Sequence, residues 1–260
     1  MANKHGDFVW YELLTPDADA AQRFYGEVVG WQIARGDLSG LDYRVLSAQA
    51  AESDASHQIG GIMPLTPAMI DGGARAIWLG YIEVDDVDQA VTRLQNAGGR
   101  VLMTAADLPG VGRIALVADP QGALFYLMHS LDAQDSLAFA HDLPRPGHCA
   151  WNELTTPDAK ASLAFYNAQF GWVKDGQMDQ GPNGTYEFLR HGYGLGALNP
   201  SPDAAPAQWT YYFRVADFDT AVERIGAGGG QIGMGPVTIP DGDRILHAVD
   251  PQGARFALIG

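Results

Sequence analysis

Two short runs carry residue types from which chemistry can be built. Trp10-Tyr-Glu12 and Trp151-Asn-Glu153 each place a carboxylate two residues after an indole. In an extended strand this spacing puts both side chains on one face. Each glutamate then stands on an aromatic wall, where burial raises a carboxyl pKa toward that of a general base. Glu12 and Glu153 are therefore the candidate catalytic residues. The structural alternative is a carboxylate that accepts backbone amides at the following turn. Trp10 and Trp151 can stack on a planar ligand or fill the space themselves. The same alternation groups Phe8 with Trp10, Tyr81 with Glu83, Thr210 with Tyr212 and Arg214, and Arg255 with Ala257. The candidate ligand-binding residues are Trp10, Tyr81, Tyr126, Trp151, Tyr212, Arg214 and Arg255. The two arginines suit an anionic group held by paired hydrogen bonds. A one-residue slip in register would turn each set to the opposite face.

Other reactive residues give weaker patterns. The seven histidines include His5 and His141, read as solvated, and His148, His191 and His247, read as structural or surface imidazoles. No His-x-His or His-Glu-x-x-His spacing points to a metal. Cys149 is the only cysteine, which excludes an intrachain disulfide and a cysteine-rich metal site, and it reads as a small core residue. Arg113 and Arg244 recur at matching places, and each is expected to bridge to an aspartate at a helix start or to contact an anion. There is no Gly-x-Ser-x-Gly elbow, phosphate loop or dinucleotide fingerprint. Gly226-Ala-Gly-Gly-Gly230 follows a helix and reads as a helix stop.

The elements that position these residues come from a duplication. Trp10-Tyr-Glu-Leu-Leu-Thr-Pro-Asp17 recurs as Trp151-Asn-Glu-Leu-Thr-Thr-Pro-Asp158, and Phe24-Tyr25…Gly30-Trp31 recurs as Phe165-Tyr166…Gly171-Trp172. Asp119-Pro-Gln-Gly-Ala123 returns as Asp250-Pro-Gln-Gly-Ala254. The second copy is shorter in a middle loop, and Ala51–His57 is a plausible place for the extra length in the first. Two domains are expected, over 6–130 and 147–260, joined by a linker over 131–146. Helical spacing appears at Ala21/Phe24/Tyr25/Val28, Val87/Ala90/Val91/Leu94, Ala161/Ala164/Phe165/Ala168 and Phe218/Ala221/Val222/Ile225. Each helix has Thr or Asp near its start and runs into Gly30, Gly98, Gly171 or Gly228. One strand-like run precedes each helix and short β-type runs follow it. The fold class is α+β, with a β-α-β-β-β module four times over.

The 260 residues carry a formal charge of −15, which disfavours nonspecific nucleic-acid and anionic-membrane binding. No apolar run is long enough to span a bilayer and no targeting segment is visible, so the expected location is cytoplasmic.

On the Phe-Tyr…Gly-Trp pairs and the two Asp-Pro-Gln-Gly-Ala turns, the chain resembles the vicinal oxygen chelate superfamily of glyoxalase I, bleomycin-resistance proteins and extradiol dioxygenases. The resemblance spans about nine-tenths of the chain and implies two tandem glyoxalase-like domains. Each domain is then two βαβββ modules curling into a cup, with the ligand on the concave face. The resemblance also implies a divalent metal held by His and Glu side chains. The matching positions here are Trp10 and Trp151, Leu79 and Thr210, and Tyr126 and Ala257; a fourth ligand has no clear place. Trp, Leu and Ala cannot coordinate a metal, and Thr and neutral Tyr are poor ligands. No cofactor is therefore expected, and a divalent metal stays open only through other ligands. The expected partner is a small organic molecule, and the chain is expected to be a monomer or homodimer. A metal-independent enzyme of undefined substrate is the first reading. A sequestering protein and a metal-dependent lyase or dioxygenase are the alternatives.

Overall fold

The computed structural model describes residues 3–36, 42–49, 56–132 and 134–260. Residues 51–55, within the stretch expected to hold the extra loop, lie outside them. The first copy runs β1 (Phe8–Thr15), α1 (Ala18–Val28), β2 (Gln32–Arg35), β3 (Arg44–Gln49) and β4 (Ser56–Pro64). A short α2 (Pro67–Asp71) precedes β5 (Ile77–Glu83), α3 (Val87–Asn96), β6 (Arg100–Leu108), β7 (Gly112–Ala118) and β8 (Leu124–Ser130). The second copy repeats this as β9 (Cys149–Thr156), α4 (Ala159–Phe170), β10 (Val173–Asp179), β11 (Thr185–Arg190) and β12 (Gly194–Pro200). It closes with β13 (Gln208–Arg214), α5 (Phe218–Ala227), β14 (Gln231–Thr238), β15 (Arg244–Val249) and β16 (Arg255–Ile259). The strands form two mixed eight-stranded sheets, ordered β2-β3-β4-β1-β5-β8-β7-β6 and β10-β11-β12-β9-β13-β16-β15-β14. The β-α-β-β-β module thus appears four times. Among the described residues no helix is long and apolar enough to cross a membrane.

Local chemistry explains the helix boundaries. Asp17, Asp86, Asp158 and Asp217 each accept the amide three residues on, from Ala20, Gln89, Ala161 and Thr220. Such caps satisfy amides that have no partner inside the helix. Gly171 ends α4 in the left-handed region, at φ 73°. At α5 the turn falls one residue later than expected, since Gly228 keeps φ at −81° and Gly229 takes +84°. Gly228 is bare for another reason, because a Cβ there would lie 2.8 Å from the Phe24 ring.

One helix buries a different stripe from the expected one. The core face of α4 is Ser162, Phe165, Tyr166, Gln169 and Phe170, while Ala161, Ala164 and Ala168 are exposed. Alanine is too small to mark a face, and the polar Ser162 is buried because it is bonded. Its hydroxyl meets Thr156 Oγ1 at 2.9 Å and accepts from Gln121 Nε2 at 2.6 Å.

By packing, the chain divides into two compact units, each holding one module from each copy. The first unit comprises Met1–Val9, Leu79–Ser136 and Trp151–Thr210; the second comprises Trp10–Trp78, Leu137–Ala150 and Tyr211–Gly260. In the second unit Tyr25 is wholly buried. Its hydroxyl donates to Asp250 Oδ2 at 3.0 Å and accepts from Trp78 Nε1 at 2.8 Å. Asp250 Oδ1 meanwhile takes the amides of Gln252 and Ala254. The first unit repeats the device. Tyr166 donates to Asp119 Oδ2 at 3.1 Å and accepts from Trp209 Nε1, and Asp119 Oδ1 takes Gln121 N and Ala123 N. The Phe-Tyr and Asp-Pro-Gln-Gly motifs are therefore the two ends of one buried hydrogen bond in each unit. The Gly-Trp motif anchors a further backbone group, with Trp31 bonded to Gly147 O and Trp172 to Gly6 O. Burial pushes the pKa of Tyr25 up, and it also raises that of Asp119 and Asp250.

Within the segment read as a linker, Ala138 and Phe139 are buried, and Phe139 bridges to the buried Cys149.

Candidate active site

The second copy assembles the clearest constellation, and all of it lies in the first unit. Trp151 and Glu153 sit on the same face of β9, the indole half-buried and the carboxylate only 3% exposed. Trp151 Nε1 donates to Tyr186 Oη at 2.9 Å, and that hydroxyl donates to Glu153 Oε2 at 2.8 Å. Asn199, on the strand beside β9, donates to Glu153 Oε1 at 3.1 Å. These two donors are neutral side chains. Burial and the neighbouring Glu153 charge together raise the Tyr186 pKa well above that of a free phenol. The hydroxyl thus stays protonated and keeps donating. A carboxylate offers about four lone-pair sites, of which the Tyr186 and Asn199 donors take two.

The first copy holds a related arrangement, in the second unit. Trp10 is half-buried and donates from Nε1 to Tyr43 Oη at 2.8 Å, and Glu12 is 3% exposed on the same strand face. Gly61 pairs directly with Glu12, and a Cβ there would lie 2.0 Å from Tyr43 Oη, so Tyr43 rests on bare backbone. The matching residue beside Glu153 is Ala197. Met63 stands where the second copy has Asn199, by the same strand pairing. An asparagine at this place is therefore a feature of the second copy.

The other expected ligand contacts divide. Tyr81 and Tyr126 face each other across β5 and β8 and stack at 4.2 Å. Tyr212 bonds His247 Nε2 at 2.5 Å. Arg214, expected to be available to an anion, already holds Asp243 at 2.5 Å, because the turn before β15 brings a carboxylate onto it. Arg255 is exposed at the first position of β16, just after the Asp250 turn. Phe8 does not share the Trp10 face; it is buried against Trp172 and Trp209 in the first unit. Arg113 and Arg244 bridge to the helix-start residues Asp88 and Asp219, as the first of their two readings expected. His5, expected to be solvated, bonds Gln169 O at 2.8 Å. Glu83 is buried, takes the Ser130 amide and lies 3.2 Å from His129 Nδ1. Burial raises the Glu83 pKa, with His129 opposing.

Asn199, His247 and Asp243 were missed as site residues. Asn199 and His247 are placed by strand pairing and Asp243 by the turn before β15, neither of which periodicity reveals.

Against known proteins, the family model described as the glyoxalase/bleomycin resistance protein/dioxygenase superfamily matches residues 7–127 and 145–258. The chain belongs to this superfamily. Over 252 residues it is 32% identical to the Mycobacterium tuberculosis protein named "Putative glyoxylase CFP32", covering 96% of this chain and 93% of the relative. It is 31% identical to the anthracycline biosynthesis protein DauV of Streptomyces sp. strain C5, covering 96% of this chain and 91% of DauV. In fold it is similar to the Mn(II)-bound glyoxalase of Novosphingobium aromaticivorans, with a TM-score of 0.65 and 17% identity over 100% of this chain and 83% of that one.

The fold is thus compatible with a metal, as that relative shows. At the positions that the resemblance matches to metal ligands, Trp10, Trp151, Leu79 and Ala257 do not suit one. The indole nitrogens of Trp10 and Trp151 are N–H donors, each already given to a tyrosine hydroxyl. Leu79 and Ala257 have no donor atom. Among the described residues no three His, Cys, Asp or Glu side chains gather as a metal-holding group.

Proposed function

We propose that the second copy binds a small planar hydroxyaryl or carbonyl compound against Trp151. Glu153 accepts the hydrogen bond, and in a reactive ligand the proton, of the ligand's hydroxyl or enol. The site does this without a resident metal. The observation that carries the reading is the chain from Trp151 through Tyr186 to Glu153, with Asn199 on the second carboxylate oxygen. It joins a half-exposed aromatic surface to a buried base held in place by two neutral donors. Holding a base in place with neutral donors suits proton abstraction. The kinship with DauV supports a planar ligand, since anthracyclines are built on hydroxylated anthraquinones. Within this reading residues 6–130 and 147–260 are the two domains, and the chain acts in the cytoplasm as a monomer or homodimer. The duplication supports the reading by supplying both copies in one chain.

The test is a fluorescence and thermal-shift titration with 1,8-dihydroxyanthraquinone as probe. Wild type is expected to be quenched and stabilised, and Trp151→Phe to lose most of the quenching. Glu153→Gln is expected to bind about tenfold more weakly, the value of one charge-assisted hydrogen bond. Equal affinity in wild type and Glu153→Gln would overturn the role of the carboxylate and leave a sequestering protein.

A further inference from the structure

We infer that Tyr212 and His247 form a proton-transfer pair in the second unit, serving a hydroxyaryl or enolisable carbonyl ligand whose oxygen meets the Tyr212 hydroxyl. The pair uses none of the residues of the Trp151 site and stands independently of it.

The geometry comes from one cross-strand row. Ala257 on β16 pairs with Tyr212 on one side and His247 on the other. With only a methyl between them, the Tyr212 hydroxyl reaches His247 Nε2 at 2.5 Å, and the rings meet edge-on at 5.3 Å. In the first copy the same row is Tyr81, Tyr126 and Leu116. There Tyr126 fills the middle and stacks on Tyr81, and Leu116 has no acceptor. Two differences at adjacent positions, alanine for tyrosine and histidine for leucine, turn an aromatic stack into a hydroxyl–imidazole bond. A buried phenol needs only some acceptor. Here the partner is an imidazole, a side chain whose ordinary charge change falls near neutral pH, with its Nε2 taken as the acceptor. Tyr212 is 3% exposed and His247 half-buried, so solvent reaches the pair at the imidazole.

Two of the charged groups around the row compensate one another. Arg214 lies two residues along β13 and is held by Asp243. Arg255 is exposed at the start of β16, and β14, paired with β15, carries no ionisable side chain. The positive charge of Arg255 is thus left near the row, where water screens it against an imidazolium. The ligand O–H breaks as its proton reaches the Tyr212 oxygen, while the Tyr212 proton moves to His247 Nε2. The products are a ligand oxyanion, an intact tyrosine and an imidazolium that returns its proton to water.

Two measurements test the pair. In the free protein, the NMR titration midpoint of His247 is expected to move by about one pH unit in Tyr212→Phe. With 4-nitrophenol as probe, the bound phenol is expected to ionise about one pH unit below the free phenol. His247→Leu, which copies Leu116, should remove that shift, and Trp151→Phe should keep it. An unchanged His247 midpoint in Tyr212→Phe, or a probe that ionises equally in wild type and His247→Leu, would overturn the inference.

Discussion

Replacing Tyr166 by Phe removes one oxygen from a wholly buried ring and strands two partners. Asp119 Oδ2 loses a donor at 3.1 Å, and Trp209 Nε1 loses an acceptor at 3.2 Å. A buried unsatisfied neutral group costs about 1–3 kcal/mol, and a hydrogen bond to a charged group is worth about 1.5–3 kcal/mol. Asp119 keeps the Gln121 and Ala123 amides on its other oxygen, which limits its loss. The sum is about 3 kcal/mol, or roughly 6–12 °C in Tm at about 2–4 °C per kcal/mol for a chain near this size. The effect should depend on pH. Burial raises the folded-state pKa of Asp119, and the Tyr166 bond holds it down. A carboxyl with a raised folded pKa contributes stability that is fully present below its unfolded pKa of about 3.9 and lost as pH rises through the folded value. Without Tyr166 the folded pKa climbs further, so the deficit grows from acid toward neutral pH. Urea denaturation at pH 4 and pH 7 measures it. A Tyr166→Phe variant within 1 kcal/mol of wild type at pH 7, or one equally destabilised at both pH values, would refute the reasoning.

Three further outcomes are expected. Gly196→Ala would set a Cβ 1.8 Å from the Asn152 carbonyl oxygen, so it should yield insoluble or unfolded protein on expression. Gly61→Ala displaces Tyr43 from the bare backbone and should strip the Trp10 indole of its acceptor, changing tryptophan emission while the fold, checked by circular dichroism, survives. Glu83→Gln removes a carboxyl whose folded pKa burial has raised, a contribution fully present below its unfolded pKa of about 4.3 and lost as pH rises through the folded value. The wild-type stability decline on moving from pH 4 to 7, followed by urea midpoints, should therefore flatten in the variant.

The modules were readable because turn and cap chemistry is local. Asp158 and Gly171 announce their helix ends within a few residues, and the duplicated motifs mark four equivalent modules. What Tyr25 and Tyr166 bond to was not readable. Each reaches an aspartate in the other sequence copy, and no spacing in the chain reports that crossing. The α4 stripe was misread because Ala161, Ala164 and Ala168 are apolar without being large enough to require burial, whereas Ser162 is buried for its bonds. The candidate site was half legible. Strand alternation grouped Trp151 with Glu153, but Asn199 and His247 depend on strand pairing. Arg214 could not be known to be occupied, since its carboxylate comes from a turn 29 residues away.

The central claim is that Glu153 is the group that meets the ligand's hydroxyl. A crystal structure with 1,8-dihydroxyanthraquinone bound tests it most directly. The account predicts the ring system lying on the Trp151 indole, with one ligand oxygen within hydrogen-bond distance of Glu153 and the Tyr186 and Asn199 bonds intact. A probe bound away from Trp151, with Glu153 contacting only Tyr186 and Asn199, would contradict it.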